Sequence, residues 1–443
     1  MISTDQTSLL AIEWPPDPAG EGKRYHETTH RICTPEDTFE RFAPRMEAAG
    51  ITRLADITKL DIIRIPTYMA TRPQVDTPED NITVYNGKGV TKIQAKVSAM
   101  MEAFERHAAE RHGRWALLGS YEEISRGRPA VHPRDLILPE DVYYADHETL
   151  EWVAGTDLFS GETVWVPAAA AFCPYVPQNG ARGLGRIVST NGLASGNSIA
   201  EAVNQGLAEL IERDADALSR AHGCARTVPL EGIDSIQVQG LIGKFQDAGI
   251  RLVLKEITSD LGIAAFFAVC DDPETQNPVL LCGGYGCHPN REIAAIRAIT
   301  EVAQSRCTFI SGSREDLVDD DYKSDYDYHE LLASMKYWYA AEPPFRRFQD
   351  VPHFQGENHV EDIRHMLAAL KRQGLQRAVA LNLTHPAVGV PVVKIVVPGL
   401  EENMEHCQRR GPRLKAIHAS GRQTISERRP SWLKRWFAKA RDM

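Results

Sequence analysis

The 443-residue sequence lacks the segments that take a protein into or across a membrane. No uninterrupted apolar run approaches the roughly 18 residues of a membrane-spanning helix. The N-terminus has neither a basic region nor the apolar stretch of a secretory signal. Basic residues are also fewer than acidic ones, 50 against 60, which argues against a general nucleic-acid binder. We therefore expect a soluble cytoplasmic protein.

Closely paired cysteines are missing as well. The eight cysteines are scattered and none forms a CxxC pair; they are Cys33, Cys173, Cys224, Cys270, Cys282, Cys287, Cys307 and Cys407. In a large chain without a secretory signal, such cysteines are expected to be reduced and mostly buried. This pattern excludes a disulfide-stapled fold.

Several common catalytic motifs are absent. A P-loop needs GxxxxGK followed by Ser or Thr, and the segment Asn86–Gly89 (NGKG) lacks the first glycine and the hydroxyl residue. The HRD and DFG motifs of protein kinases and a GxSxG elbow are also absent. A di-iron bundle would need Glu-x-x-His pairs, which the predicted helices do not carry. His288 and His385 lie beside prolines and are candidates for catalysis, although such histidines more often have a structural role.

Helical and strand patterns alternate along the chain, which predicts an α/β or α+β class. Capping boxes mark two helix starts, Thr91 with Gln94 and Ser198 with Glu201. Helices are predicted at 35–49, 91–111, 198–221, 291–308 and 360–373. Strands are predicted at 61–68, 83–85, 251–257, 263–270, 278–283 and 390–398, with a turn at 86–89.

A polar triplet recurs on three of these helices. Its members stand at positions i, i+4 and i+7, so each triplet lies along one helical face. The sets are Ser98, Glu102 and Glu105; Asn197, Glu201 and Asn204; and Arg297, Glu301 and Gln304. The second helix continues with Glu209, Glu212 and Arg213.

The first of these helices has more polar faces than a surface helix needs. One stripe can face water; it consists of Lys92, Lys96, His107 and Glu110. An apolar stripe includes Met100 and Phe104, and the Glu102–Glu105 stripe lies on a third side. We therefore expect these two carboxylates to face the interior of the protein.

Carboxylates that converge on one space repel each other unless a cation neutralises them. Mg²⁺ binds carboxylate oxygens while keeping phosphate oxygens and waters as further ligands, and arginines bind phosphates directly. The three triplets therefore predict a cleft for a magnesium–nucleotide complex. The alternative is an ordinary solvated helix face and, for Glu201, a capping role beside Ser198.

Three sequence blocks resemble the signature blocks of the YcaO family. They are NGKGVTKIQAKVSAMMEAFER at 86–106, STNGLASGNSIAEAVNQGLAELIERDA at 189–215 and AIRAITEVAQSR at 295–306. The resemblance extends over about residues 60–400. It implies an ATP-dependent enzyme with its own α/β fold of mixed sheets and helices, in which ATP and Mg²⁺ activate a backbone amide of a peptide or protein.

The resemblance also implies roles for individual residues. Those implied to bind Mg²⁺ are Glu102, Glu105, Glu201, Glu212 and Glu301. Those implied to contact the nucleotide are Lys88, Ser98, Asn197, Glu209, Arg213, Arg297 and Gln304, and Arg297 has a structural role as its alternative. No residue is assigned as a general base.

The N-terminal half, including 29–61 and 65–73, resembles the thioamide-forming group of the family, which often has a TfuA partner. Within that group it is most similar to archaeal proteins that thioamidate a glycine in the α subunit of methyl-coenzyme M reductase. Azoline-forming members commonly end in a proline-rich segment, whereas this chain ends RWFAKARDM. We expect thioamidation with sulfur supplied by a TfuA-like partner. The alternatives are an azoline-forming cyclodehydratase of a ribosomal peptide and a non-catalytic nucleotide- or peptide-binding scaffold.

Three segments are expected along the chain. Residues 1–60 form an N-terminal segment that begins with a poorly ordered lead-in at 1–25, and residues 61–404 form the ATP-binding catalytic domain. Residues 405–443 form a basic amphipathic tail, with apolar side chains at Trp432, Leu433, Trp436 and Phe437. Such a tail can bind a membrane surface or a partner, and we favour a partner or sister subunit. The family resemblance also suggests a homodimer.

Overall fold

The structure, a computed structural model, describes residues 10–73, 82–184, 189–315, 317, 327–402 and 410–419. The chain divides into two compact units. The first unit comprises residues 1–23, 104–214 and 356–420, and the second comprises 24–103, 215–355 and 421–443. Every named strand pairing is antiparallel, which confirms the mixed helix-and-sheet class. No helix in the described ranges is long and apolar enough to cross a membrane.

The helices among the described residues are numbered in chain order. They are α1 (Pro35–Phe42), α2 (Lys92–Ala109), α3 (Tyr121–Ser125), α4 (Ile199–His222), α5 (Ile236–Asp247), α6 (Arg291–Ser311), α7 (Tyr328–Ser334), α8 (Lys336–Tyr339), α9 (His359–Arg372) and α10 (Pro412–Ala419). The strands are β1 (Arg53–Asp56), β2 (Thr67–Thr71), β3 (Val84–Lys88), β4 (Leu117–Gly119), β5 (Leu150–Asp157), β6 (Thr163–Pro167), β7 (Leu193–Ser195), β8 (Arg226–Val228), β9 (Arg251–Glu256), β10 (Ala265–Asp271), β11 (Cys282–Cys287), β12 (Val379–Asn382) and β13 (Val392–Val396).

The first unit contains a six-stranded sheet in the order β4–β5–β12–β13–β7, with β6 paired to β5. Strand β5 is buried along its whole length, so the sheet has no solvated face there. Trp152 of β5 packs in an apolar cluster with Leu117, Leu150 and Trp165, and its indole N–H donates to the carbonyl of Gly119 at 2.9 Å. Apolar burial on this scale supplies the main favourable term for the unit.

Part of the expected N-terminal lead-in belongs to this sheet. The backbone N–H of Leu10 donates to the carbonyl of Ala154, and the N–H of Asn382 donates to the carbonyl of Leu10 at 2.8 Å. Leu10 and Ile12 are buried. The prediction of a poorly ordered segment is therefore wrong for these residues, because sparse apolar side chains in a proline-rich stretch still suffice to cover a sheet.

The second unit contains two sheets, β1–β2–β3 and β11–β10–β9–β8. Two sequence predictions for the smaller sheet are wrong. Residues 61–66 are not a strand, since β2 begins at Thr67, and Asn86 to Lys88 belong to strand β3 rather than to a turn. The other strands and helices lie close to their predicted positions, although β11 begins at Cys282 and α1 ends at Phe42.

Helix α6 packs on strand β11 in the second unit. The helix begins at an N-cap, Asn290, whose side chain accepts hydrogen bonds from the N–H groups of Glu292 and Ile293 at 2.9 and 3.3 Å. A Cβ atom on Gly286 would come within 2.0 Å of the carbonyl oxygen of Ala294. Glycine is therefore required in β11 because the helix backbone lies directly against it.

The division between the units falls inside α2 and α4. Residues 92–103 of α2 belong to the second unit and 104–109 to the first, and α4 changes unit after Asp214. The predicted capping box of α2 is confirmed: Gln94 N–H donates to Thr91 Oγ1 at 3.3 Å, and Thr91 N–H donates to Gln94 Oε1 at 3.2 Å. The amphipathic tail from 427 onward lies outside the described residues, and the three expected segments stay a prediction.

Candidate functional site

The twelve residues singled out in the sequence are distributed over both units. The first unit holds Glu105 at the end of α2, together with Asn197, Glu201, Glu209, Glu212 and Arg213 on or just before α4. The second unit holds Lys88 on β3, Ser98 and Glu102 on α2, and Arg297, Glu301 and Gln304 on α6.

Glu201 in the first unit is buried and oriented by its own helix start. Its Oε1 accepts hydrogen bonds from the backbone N–H and the side-chain amide of Asn197, at 3.2 and 3.1 Å. Ser198 Oγ accepts from the N–H of Glu201 at 3.1 Å, which confirms half of the predicted capping box. The carboxylate itself turns to Asn197. Its second oxygen lies 3.8 Å from Nε2 of His359.

Glu105 is held by the neighbouring strand of the same unit. Its Oε2 accepts the backbone N–H of Ser195, the last residue of β7, at 2.8 Å. Hydrogen bonds from backbone N–H groups favour the charged form of a carboxylate and fix its direction. The Glu105 carboxylate thus has a fixed direction beside the segment that leads into α4.

About three turns after Glu201 on α4, Arg213 lies between two acids. Its guanidinium is 3.5 Å from Glu209 Oε1 and 3.5 Å from Glu212 Oε1, and its Nε donates to Asn191 Oδ1 at 3.3 Å. Desolvation raises the pKa of Glu209, and the positive charges of Arg213 and Lys394 partly offset that effect. The arrangement concentrates charged groups on one largely buried part of α4.

A cavity of about 90 Å³ opens next to Arg213 in this unit. Polar groups that line it include Ser189, Asn191, Lys394 and Glu402. Lys394 is buried; its Nζ donates to the carbonyl of Asn191 at 2.8 Å, and desolvation lowers its pKa. The sequence analysis missed Lys394 and Asn191. The available signal was a lone lysine inside the apolar run VPVVKIVVP.

The first unit offers a donor set that fits a hard cation. Glu201 and Glu212 are 2% and 8% exposed, so several carboxylates are withdrawn from water. Asn204, one turn from Glu201 on the same helix face, has a buried Oδ1 that accepts no hydrogen bond within the described part of the chain. Carboxylate and amide oxygens of this kind are the ligands that Mg²⁺ prefers. The chemistry of these donors suits a magnesium ion, and a magnesium site formed by them stays a prediction.

In the second unit, the predicted residues on α6 are tied to the adjoining strands. Lys88 forms an ion pair with Glu301, whose Oε1 accepts the N–H of Tyr285 at 2.9 Å. Gln304 donates to the carbonyl of Asn86 at 2.7 Å, and Arg297 donates to the carbonyl of Cys287 at 2.9 Å. These bonds give Gln304 and Arg297 a structural part in the unit. Their nucleotide roles, like the nucleotide role of Ser98 and the Mg²⁺ role of Glu102, stay a prediction.

The segment His26–His30 (HETTH) has the spacing of a zinc-protease helix, and the sequence analysis took no account of it. The segment is not helical. It forms the connection between Tyr25 and Arg31, which pair as an isolated antiparallel bridge. The helical geometry that places both histidines of such a motif on one metal is therefore absent here.

A family model described as YcaO cyclodehydratase, ATP- and Mg²⁺-binding, matches residues 86–401. The chain belongs to the YcaO family. The family description names ATP and Mg²⁺, which confirms the predicted cofactors and agrees with the donor set of the first unit. YcaO enzymes in general modify peptides in an ATP-dependent reaction.

Two curated relatives match this YcaO chain over most of their lengths. An uncharacterized protein of Methanothermobacter thermautotrophicus is 39% identical, with 86% of this chain and 98% of the relative covered. A protein of Rhizobium leguminosarum bv. trifolii, named for its place in the tfuA 3′ region, is 34% identical, with 85% and 89% covered.

Solved structures have the same fold. A heterocyclase in complex with substrate and cofactor superposes with a TM-score of 0.72 at 25% identity over 86% of this chain, which spans 54% of the heterocyclase. YcaO from Methanopyrus kandleri, bound with AMPPCP and Mg²⁺, superposes with a TM-score of 0.69 at 24% identity, with 93% and 99% covered. These likenesses confirm the predicted fold class.

Proposed function

We propose that this YcaO protein uses ATP to convert a backbone amide of a peptide or protein into a thioamide. The observation that carries the proposal is the relative in the tfuA 3′ region, which matches this chain over 89% of its length. It agrees with the resemblance of the N-terminal half to the thioamide-forming group. A TfuA-like protein is accordingly the proposed partner for sulfur delivery.

The net reaction exchanges one oxygen atom for one sulfur atom. Hydrosulfide, or sulfide-level sulfur from a carrier protein, adds to the amide carbon. The amide oxygen accepts the γ-phosphoryl group of ATP and then leaves as phosphate. The products are the thioamide, ADP and phosphate. An amide oxygen is a poor leaving group, and its phosphorylation removes that barrier. The protein's contribution to such a transfer is positioning and charge neutralisation.

The residues of the first unit that would hold Mg²⁺ are Glu105, Glu201 and Glu212, and those of the second unit are Glu102 and Glu301. When bound, Mg²⁺ neutralises phosphate charge and polarises the phosphoryl group. Arg213 is a bidentate donor suited to phosphate oxygens. Hydrogen bonds from backbone N–H groups fix the directions of the Glu105 and Glu201 carboxylates.

Three buried cysteines are poorly suited to relay sulfur within the chain, which agrees with delivery by a partner. None of the seven cysteines in the described part of the chain forms a disulfide. Burial raises the pKa of Cys270 and of Cys307 to about 12, and burial also raises the pKa of Cys282. A sulfur relay needs a thiolate at neutral pH, which these three residues do not provide.

The decisive experiment is product analysis by mass spectrometry. The full chain is incubated with ATP, Mg²⁺, a sulfide source and a glycine-centred peptide, with and without a TfuA-like protein. The expected product carries sulfur in place of one backbone oxygen, with ADP formed in equal amount. The α subunit of methyl-coenzyme M reductase is the proposed protein substrate and follows as the second test.

Two variants of the first unit compare the loss of a proposed magnesium ligand with the loss of an exposed carboxylate. Glu201→Gln removes a buried charge and is expected to lower thioamide formation by at least about 10-fold, the low end for damage to a metal site. Glu162→Gln, on the exposed side of the same unit, should keep wild-type activity. Equal activity of the two variants would contradict the assignment of Glu201 to the magnesium site.

Azoline formation is the second candidate, favoured by the family description as a cyclodehydratase and by the heterocyclase superposition. The same assay distinguishes it, because a peptide containing cysteine, serine or threonine would lose water and gain no sulfur. If no substrate or partner elicits ATP turnover, the chain is a non-catalytic scaffold and the proposal is wrong.

A further inference from the structure

Three histidines of the first unit meet at one point outside the residues assigned to ATP. We call His107, His112 and His385 the histidine cluster. One ring nitrogen of each lies within 4.8 Å of the others, and the ring centroids are 4.4 to 5.1 Å apart. His107, which the sequence placed on a water-facing stripe, is buried, so that prediction was wrong.

The backbone brings the three side chains together by specific local geometry. His107 lies in the last turn of α2, and His112 follows in a turn where it has a positive φ of 46°. Only a few per cent of non-glycine residues adopt that conformation. His385 begins the connection from β12 to β13, and its carbonyl accepts the N–H groups of Val388 and Gly389 at 3.0 and 2.7 Å.

Arg114 joins these two segments. Its guanidinium donates to the carbonyls of Ala108 and Glu110 near the end of α2, at 3.2 and 2.7 Å. It also donates to the carbonyl of Leu383, two residues before His385, at 2.8 Å. The half-buried guanidinium of Arg114 therefore fixes the chain segments that carry the cluster relative to one another.

Hydrogen bonding also sets the chemistry of one ring. Nε2 of His112 lies 2.5 Å from the carbonyl oxygen of His107, and a carbonyl only accepts, so Nε2 is the protonated nitrogen. Nδ1 then carries the lone pair. A histidine that ligates a metal usually donates its other ring N–H to a carbonyl or carboxylate in this way.

We propose that the histidine cluster binds a divalent transition-metal ion, for which Zn²⁺ is the expected species. Three neutral imidazoles form a site suited to Zn²⁺ and leave a fourth position open. Tetrahedral Zn–N bonds of about 2.0–2.1 Å place the nitrogens about 3.3 Å apart, so small ring rotations close the site. The carboxylate of Glu110, 3.8 Å from His112 Nε2, is placed to offset the metal charge. The site is independent of the proposed thioamidation.

The test is calorimetric titration of Zn²⁺ into the chelator-treated full chain, in buffer with saturating Mg²⁺ to occupy the carboxylates. One equivalent is expected to bind in the wild type. Co²⁺ in place of Zn²⁺ should give the visible absorption of a tetrahedral site. His112→Gln and His385→Gln should each weaken Zn²⁺ binding by at least about 10-fold, whereas His147→Gln, an exposed histidine of the same unit, should not.

Thermal unfolding without metal identifies any variant that fails to fold. Zn²⁺ should raise the melting temperature of the wild type and of His147→Gln, because a ligand that binds only the folded state stabilises it. The partly exposed position of His112 makes His112→Gln the variant expected to fold normally. Wild-type protein that binds Zn²⁺ no more tightly than a folded His112→Gln variant would overturn the proposal.

Discussion

The Oε2 atom of Glu105 accepts the backbone N–H of Ser195 at 2.8 Å. This contact joins the end of helix α2 to the end of strand β7 within the first unit. It gives one proposed magnesium ligand a fixed direction before any ligand is present. Two properties of Glu105 can be tested separately by substitution. They are its negative charge and its capacity to accept this hydrogen bond.

Glu105→Gln is expected to keep the fold and weaken nucleotide binding. The amide oxygen of glutamine can still accept the Ser195 N–H, while the negative charge is lost. We expect the affinity for Mg²⁺–ATP to fall by about 10-fold or more. Isothermal titration with a non-hydrolysable ATP analogue and Mg²⁺ measures the change.

Glu105→Ala serves as the companion variant. It removes the acceptor as well, so the free energy of unfolding should fall by about a further 1 kcal/mol relative to Glu105→Gln. Urea denaturation measures this difference. Unchanged nucleotide affinity in Glu105→Gln would remove Glu105 from the metal site.

Asp61→Asn is expected to destabilise the protein strongly. Asp61 accepts bonds from Nε and Nη2 of Arg306 at 3.0 to 3.2 Å, and both side chains are only 2% exposed. Asp61→Asn leaves the buried Arg306 with only the more distant Asp272, at 3.9 Å, as a counter-charge. Removal of one partner of a buried pair costs about 3–5 kcal/mol when no other counter-charge remains, which sets the upper bound here. Asp350→Asn, in a surface pair with Arg347, should leave the urea midpoint close to that of the wild type, because solvent screens an exposed ion pair. Urea midpoints compare them, and equal midpoints would contradict the expectation.

Local signals allowed the sequence to predict the helices that carry the candidate site. Capping residues such as Thr91 and Asn290 act within three residues of a helix start, so their effect is visible in a short window. The i, i+4, i+7 spacing fixes a shared helix face for the same reason. The two carboxylates expected to face the interior, Glu102 and Glu105, are half-buried, and Glu201 of the second triplet is buried.

Features that depend on distant segments could not be predicted in the same way. Lys394 reaches the carbonyl of Asn191, 203 residues earlier in the chain. The Asn86–Gly87 pair is typical of a turn, yet it lies in strand β3. Gly87 is needed there because a Cβ atom would come within 2.0 Å of the Ala99 nitrogen on α2. Tertiary packing thus overrides the local turn preference.

Gly286→Ala should destabilise the second unit. The added Cβ would meet the Ala294 carbonyl oxygen at 2.0 Å and the Ala298 nitrogen at 2.5 Å, so α6 must move away from β11. Overpacking of this kind costs about 1–3 kcal/mol and sometimes more. Gly240→Ala is the control, because no atom lies within 4 Å of its Cβ position in α5. That change should stabilise the protein by up to about 1 kcal/mol. Melting temperatures that move in the same direction for both variants would contradict the packing argument.

Lys255 is expected to make stability rise with pH in the alkaline range. The side chain is buried in the second unit, where Nζ donates to Thr227 Oγ1 at 2.8 Å and to the Ala340 carbonyl at 2.7 Å. Desolvation lowers its pKa from 10.5 to about 8. Between these values the unfolded chain binds more protons than the folded chain. The free energy of unfolding therefore increases as pH rises through that window.

Urea denaturation at about pH 7.5 and about pH 9.5 measures this effect against a Lys255→Met variant. Relative to the variant, the wild type should gain about 2 kcal/mol between the two pH values. Lys371→Met, at an exposed position of α9, should keep the wild-type pH profile. Methionine cannot make the two hydrogen bonds of Lys255, and this loss lowers the free energy of unfolding equally at both pH values. It therefore cancels when the two pH values are compared. A wild type and a Lys255→Met variant with parallel pH profiles would show that burial does not shift the titration of this lysine.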